Sequence, residues 1–191
     1  MVNGGGSLTL AYAKAAYLPA QRQVTAKWQD YSFAPDVVLL RPDTTATVVT
    51  LGGSGVQVAS ASMVSDEDGA RQATVLFDAG TTASLILPNG TVQSVTSLTL
   101  RATEFTVGAA GPLAMPAVLP PTSQYTYAVS VTADEATAAG ATAIVLNKPV
   151  AVYVNNFLQV PVGSRVPVGA YDPALGVWVA QDNGRVIKCS P

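Results

Sequence analysis

Leu98-Thr99-Leu100-Arg101-Ala102-Thr103-Glu104-Phe105-Thr106-Val107 is a long run in which apolar and polar side chains alternate. Successive side chains of a strand point to opposite faces, so such a run predicts a β-strand with one apolar face. Just upstream, Leu85-Ile86-Leu87-Pro88-Asn89-Gly90-Thr91-Val92 carries the sharpest turn signal in the chain. Asn-Gly suits a type I′ hairpin turn, because both central residues must tolerate positive φ. A strand fed by a hairpin is the start of a β-meander.

Outward from that point, the same grammar recurs. Upstream, strands are predicted over Val56 to Met63, Gln72 to Phe77 and Ala83 to Leu87, with Asp66-Glu67-Asp68-Gly69 as a solvated turn. Thr45 to Leu51 alternates and stops at Gly52-Gly53-Ser54-Gly55, and the continuous apolar run Val37-Val38-Leu39-Leu40 reads as a strand buried on both faces. At the start, Ser7 to Tyr12 pairs with Gln21 to Lys27 in a hairpin with an aromatic end, Leu8, Leu10 and Tyr12 sharing one face and Gly4 to Gly6 acting as a hinge.

Downstream, Gly108 to Pro121 holds Pro112, Pro116, Pro120 and Pro121 and is expected to be an irregular surface connection. Tyr125 to Thr132 alternates again. Thr132-Ala133-Asp134-Glu135 fits a capping box for a short helix to Ala139, stopped by Gly140. Ala143 to Leu146, Val150 to Val154, Ser164 to Tyr171 and Val177 to Gln181 are further strands, with Asp182-Asn183-Gly184 as a second hairpin-type turn.

Short strands about every ten residues, separated by turn signals, define an all-β fold: a β-sandwich or Greek-key sheets in two packed β units, with one short helix near residues 133–139. More than about 35% strand is expected, above the ordinary share of about 20–25%. Three segments follow: a strand hairpin over residues 1–36, a β-meander unit over 37–110 and a second β unit over 122–191, the last two joined by the Pro-rich linker 111–121.

With 191 residues, 49% hydrophobic and 12% charged, the chain can bury a core and leaves Thr, Ser, Asn, Gln and Gly to solvate its surface. Such a low-charge surface points to an extracellular or bacterial cell-surface protein. A net charge of −2 offers no cationic field for a phosphate backbone, so nucleic acid is not an expected partner. No apolar run approaches the roughly 20 residues of a membrane-spanning helix. The single cysteine, Cys189, cannot form an internal disulfide.

Absence of histidine removes His-based triads, His-liganded zinc and the commonest general base together. Neither Ser-x-x-Lys nor Gly-x-Ser-x-Gly occurs. Of the few carboxylates available to a glycosidase pair, Glu104 is expected to face solvent and Glu135 to serve as a cap. Asp66-Glu67-Asp68-Gly69 lacks the later bidentate glutamate of a calcium loop, so no metal ligands are assigned. An isopeptide crosslink through Lys148, with Asn147, Asn155 and Asn156 nearby, is the one autocatalytic chemistry that the composition suggests. No catalytic residue and no cofactor are assigned.

Several of these stretches resemble a known family. Ser84 to Gly90, Leu100 to Gly108, Met115 to Ser123, Tyr125-Thr126-Tyr127, Ala133 to Ala141, Pro149 to Phe157, Pro161-Val162-Gly163 and Val166 to Gly169 resemble a region of large secreted bacterial proteins with Rhs or YD repeats. That region is similar to ZU5 domains, β-rich modules of protein–protein contact, and segment 122–191 is its ZU5-like part. Val2 to Val24 resembles the last strands of a carboxypeptidase-regulatory-like, transthyretin-type sandwich. Some ZU5-type domains cleave themselves at His-Phe-Ser, which this chain lacks.

The expectation is therefore a non-catalytic structural or interaction module that self-associates through edge strands, with a fibre as the form that strand addition would build and Leu8, Leu10 and Tyr12 as its assembly interface. The alternative is a carbohydrate- or protein-binding adhesin domain, with a glycan as partner and Trp28, Tyr31 and Trp178 as stacking platforms.

Overall fold

The computed structural model describes residues 5–120 and 126–189. Among the described residues, strands account for 44% and helices for 6%, which makes the fold all-β. In chain order the first strands are β1 (Gly6–Tyr12), β2 (Ala20–Ala26), β3 (Thr47–Thr50), β4 (Gln57–Ser60) and β5 (Val64–Asp66). Then come β6 (Gly69–Arg71), β7 (Ala73–Phe77), β8 (Ala83–Ile86), β9 (Val92–Val95) and β10 (Ser97–Glu104). After them follow α1 (Gly111–Ala114), β11 (Val129–Ala133), α2 (Asp134–Ala139), β12 (Ala143–Leu146), β13 (Ala151–Val154), β14 (Arg165–Asp172) and β15 (Val177–Arg185).

Two compact units result, and both are discontinuous: residues 1–41, 105–128 and 158–191 form one, and 42–104 with 129–157 form the other. The sequence had suggested three consecutive segments instead. Among the described residues, the unit of 42–104 and 129–157 carries three antiparallel three-stranded sheets, ordered β11-β10-β3, β12-β8-β9 and β13-β7-β4, plus the β5–β6 hairpin. Its core follows from alternation. Leu98 and Leu100 of β10, Val49 of β3, Val75 and Phe77 of β7, Ala83 of β8, Ala59 and Ala133 cluster as buried residues. Each fully buried Leu, Val or Phe among them is worth about 1.5–3 kcal/mol relative to exposure.

The Asn89-Gly90 turn differs from the type I′ expectation. Gly90 N–H donates to the Leu87 carbonyl at 2.8 Å, so Pro88 and Asn89 are the central pair, and only Gly90 of this turn has positive φ. Proline fixes φ near −65° and suits the first central position of a type I turn, which leaves the positive φ to the glycine behind it. The Leu87 amide then closes the hairpin on the Thr91 carbonyl.

In the unit of residues 1–41, 105–128 and 158–191, β1 and β2 pair in full register from Gly6 opposite Ala26 to Tyr12 opposite Ala20. A second hairpin, β14–β15, is kinked: Val166 faces Gly184 but Val168 faces Gln181, so one extra residue lies on β15. Asp182-Asn183-Gly184 is thus a bulge within a strand, not a turn. Pro167 opposite it has no amide to give the ladder, which is where bulges form.

Val37 to Leu40 is not a strand. Its backbone bonds are single ones, from Val38 N–H to the Leu113 carbonyl and from Leu18 N–H to the Leu40 carbonyl. Nor is the Pro-rich stretch a mere surface connection: Pro112 opens α1, and Ala114, Met115 and Ala117 are buried. Met115 packs with Leu18 and Phe105 as this unit's core. Arg22, also buried, donates to the Leu113 and Met115 carbonyls at 2.7 and 3.0 Å and so pins the stretch to β2. Pro121 and Tyr125, the expected strand start, lie outside the described residues, as does Gly4 of the glycine hinge.

Candidate functional site

The most fully built polar constellation centres on Arg71, whose side chain is 1% exposed. Gly69, at φ +120°, lets the chain turn tightly between β5 and β6, so that Asp66 and Arg71 come back to face each other. The Asp66 carboxylate accepts two bonds from the Arg71 guanidinium, at 2.6 and 2.7 Å. Arg71 Nε donates to Glu104 Oε1 at 2.7 Å, and the Glu104 side chain is 5% exposed. The Phe157 ring lies 4.8 Å from the guanidinium.

Hydrogen bonds to Asp66, opposed by burial but reinforced by Glu104, hold the Arg71 pKa above its already high ordinary value. The cation is permanent. Two sequence expectations are corrected here: Glu104 does not face solvent, and Asp66 is tied to a buried cation instead of belonging to a solvated turn. An unpaired guanidinium at this depth would be too costly, so the fold brings it two carboxylates. Bonded to Asp66 and Glu104, Arg71 acts as a clamp between the β5–β6 hairpin and β10. No group of three or more metal-ligating side chains occurs among the described residues.

A second polar hub borders α2. Glu135 was expected to cap the helix with Thr132, but its carboxylate accepts from Thr99 N–H and Thr99 Oγ1, both at 2.7 Å, and the residue before the helix, Ala133, has no side-chain cap. Burial alone would raise the Glu135 pKa; the two Thr99 bonds outweigh it and hold it below its ordinary value. The expected stop is present, with Gly140 left-handed at φ 62°. Beside it, Arg101 donates to Asp134 at 2.8 and 3.0 Å and to the Asp43 carbonyl at 2.7 Å.

Of the isopeptide candidates, Lys148 and Asn147 bond the β7–β8 turn and Asn155 bonds the link between β6 and β7. Lys148 Nζ donates to the Ala79 carbonyl, Asn147 accepts from Thr82 N–H and donates to Gly80, and Asn155 accepts from Gln72 N–H.

Leu8, Leu10 and Tyr12 do share one face of β1, as their alternation required, and all three are half-buried within the chain itself. Strand β13 is more open: it lies at the edge of its sheet, and Ala151, Val152, Tyr153 and Val154 are all exposed. The sequence did not single it out as an edge. The aromatic candidates divide. Trp28 and Tyr31 are 69% and 88% exposed, and Phe33, missed in the sequence, is 92% exposed. Trp178 packs against the Leu18–Phe105–Met115 cluster, with its indole N–H buried and unpartnered. It is partly buried against this unit's core and is not an open ring like the other three.

No protein-family description, no curated protein and no solved structure matches this chain.

Proposed function

We propose that this chain is a non-catalytic structural and interaction module of a secreted or cell-surface bacterial protein, self-associating by β-strand addition. The observation that carries this reading is β13, an edge strand of Ala-Val-Tyr-Val with every residue exposed. An open apolar edge presents backbone donors and acceptors to any extended chain that reaches it, and nothing in its side chains repels one. Sheets of two or three strands leave many such edges. The ZU5-like resemblance, with its protein–protein contacts, agrees with this role.

Lysine on an edge strand is a natural block to strand addition. The test is therefore light scattering and electron microscopy of the full chain beside Val152→Lys and Leu8→Lys, with circular dichroism to establish that each variant folds. Concentration-dependent assembly that Val152→Lys abolishes supports the proposal. A monomeric full chain at high concentration, or unaltered assembly of folded Val152→Lys, rejects it.

A second reading, a glycan-binding adhesin, draws on the exposure of Trp28, Tyr31 and Phe33 within one short stretch, since exposed rings are stacking surfaces. A glycan array with the full chain and a Trp28→Ala/Tyr31→Ala variant separates it from the first: glycan signals lost in the variant favour the adhesin.

A further inference from the structure

Most cations whose partners are known in this chain meet a carboxylate or a carbonyl. Arg71 and Arg101 bind carboxylates, Lys27 lies by Asp30, Arg22 is held by carbonyls and Lys148 by Ala79. Lys14 and Arg41 differ. Both lie against one tyrosine ring, with Lys14 Nζ 4.5 Å and Arg41 Cζ 5.3 Å from the Tyr17 centroid. Neither belongs to any of the ion pairs found among the described residues. The ring's quadrupole attracts each cation but carries no net charge, so the cluster keeps its full positive charge.

The backbone holds this arrangement at some cost. Tyr17 N–H bonds the Lys14 carbonyl at 3.1 Å, closing a turn whose third residue, Ala16, has φ 65°. Turns of this pattern ordinarily place glycine there, and a side chain in that region is strained. The next residue, Leu18, is buried and bonds the Leu40 carbonyl at 2.7 Å, which fixes Arg41 beside Tyr17. A strained turn and a hydrogen-bonded chain segment thus set both cations against one ring, on an otherwise weakly charged surface.

We propose that Lys14, Tyr17 and Arg41 form a binding site for a small oxyanion, a sulfate or carboxylate held by the ammonium, the guanidinium and the phenol O–H. Such a group has acceptor lone pairs for all three donors, and a guanidinium fork matches its paired oxygens. The same oxyanion chemistry is available from a free anion or from an acidic sugar. This site is independent of strand-mediated assembly and of the Trp28–Phe33 stretch.

The Tyr17 hydroxyl reports occupancy. A hydrogen bond from Arg41, the Arg41 charge and the Lys14 charge together hold its pKa below the ordinary tyrosine value. An anion bound beside it opposes that effect, and by linkage must raise the pKa.

The test follows tyrosinate absorbance of the full chain, taking the difference from Tyr17→Phe, against sodium sulfate, glucose 6-sulfate and glucose, with sodium chloride holding ionic strength constant. Sulfate and glucose 6-sulfate are expected to raise the Tyr17 pKa saturably, glucose to leave it unchanged. Calorimetric titration of the variants is then expected to show about fivefold weaker sulfate binding for Lys14→Ala and for Arg41→Ala. Arg165→Ala, which removes one exposed charge elsewhere, is expected to bind as the native chain does. Tighter binding of glucose 6-sulfate than of sulfate identifies a saccharide as the source, and equal binding a free anion. Absence of a saturable shift, or an equal loss in Arg165→Ala, overturns the proposal.

Discussion

Replacing Arg71 with methionine removes the cation but leaves its carboxylates in place, and the consequence follows from where they lie. The Glu104 side chain is 5% exposed, so without Arg71 a carboxylate at this depth loses the buried cation it bonds. Breaking a buried pair from one side costs about 3–5 kcal/mol. Asp66 is at 18% side-chain exposure and can recover water, so it adds less. For a chain of this length each kcal/mol shifts Tm by about 2–4 °C, and Arg71→Met is expected to melt roughly 10 °C lower. Urea unfolding at neutral pH, with native and variant slopes compared, measures the free energy directly. The double variant Arg71→Met/Glu104→Leu is expected to recover most of the loss, because two apolar side chains replace the pair. A loss below about 1 kcal/mol for Arg71→Met, or a double variant less stable than the single one, refutes the account of a compensated buried cation.

Three further outcomes can be checked by the same methods. Glu135→Ala, which strands the Thr99 amide and hydroxyl, is expected to cost about 1–2 kcal/mol, read by urea unfolding. The folded pKa values of Asp43, Asp134 and Glu135 lie below their ordinary values of 3.8, 3.8 and 4.5. For Asp43, burial opposes the shift and the Ser62 and Thr45 bonds outweigh it; for Asp134 the Arg101 bond leads. The stability these groups confer is therefore complete above about pH 4.5 and lost as pH falls through their folded values, which thermal melts from pH 6 to pH 2.5 resolve. Ala16→Gly relieves the positive φ and is expected to stabilise the fold by several tenths of a kcal/mol despite glycine's greater unfolded entropy; a lower Tm contradicts the strain at this turn.

Alternation made individual strands legible: Ala143 to Leu146 is a strand over the predicted residues, and Leu98 and Leu100 point into the core as their period demands. Partners were not legible, because a two-residue period identifies a face but not what lies opposite it. Glu104 looks outward in sequence because nothing local marks Arg71, thirty-three positions upstream, as its neighbour. Glu135 matched a capping box by spacing, yet its carboxylate bonds a strand residue, Thr99, thirty-six positions upstream, which no local pattern marks. Val37 to Leu40 had the composition of a buried strand but met only single bonds, and composition does not report whether a ladder is available. Phe33 escaped notice because exposure is not encoded in residue type.

The interleaving of the two units has a consequence for synthesis. The chain leaves and re-enters each of them, so residues 42–104 are made before their partners 129–157, and the earlier 1–41 before both. As the chain emerges from the ribosome, the unit that closes at residue 157 has all its strands in hand first. The other keeps Leu18, Ala20 and Arg22 waiting until Phe105 and Met115 arrive, and Trp178, which also packs on that cluster, emerges last. A chain from which residues 1–157 have emerged but Trp178 has not would thus hold one finished core and one still open, with its apolar side chains exposed to a chaperone.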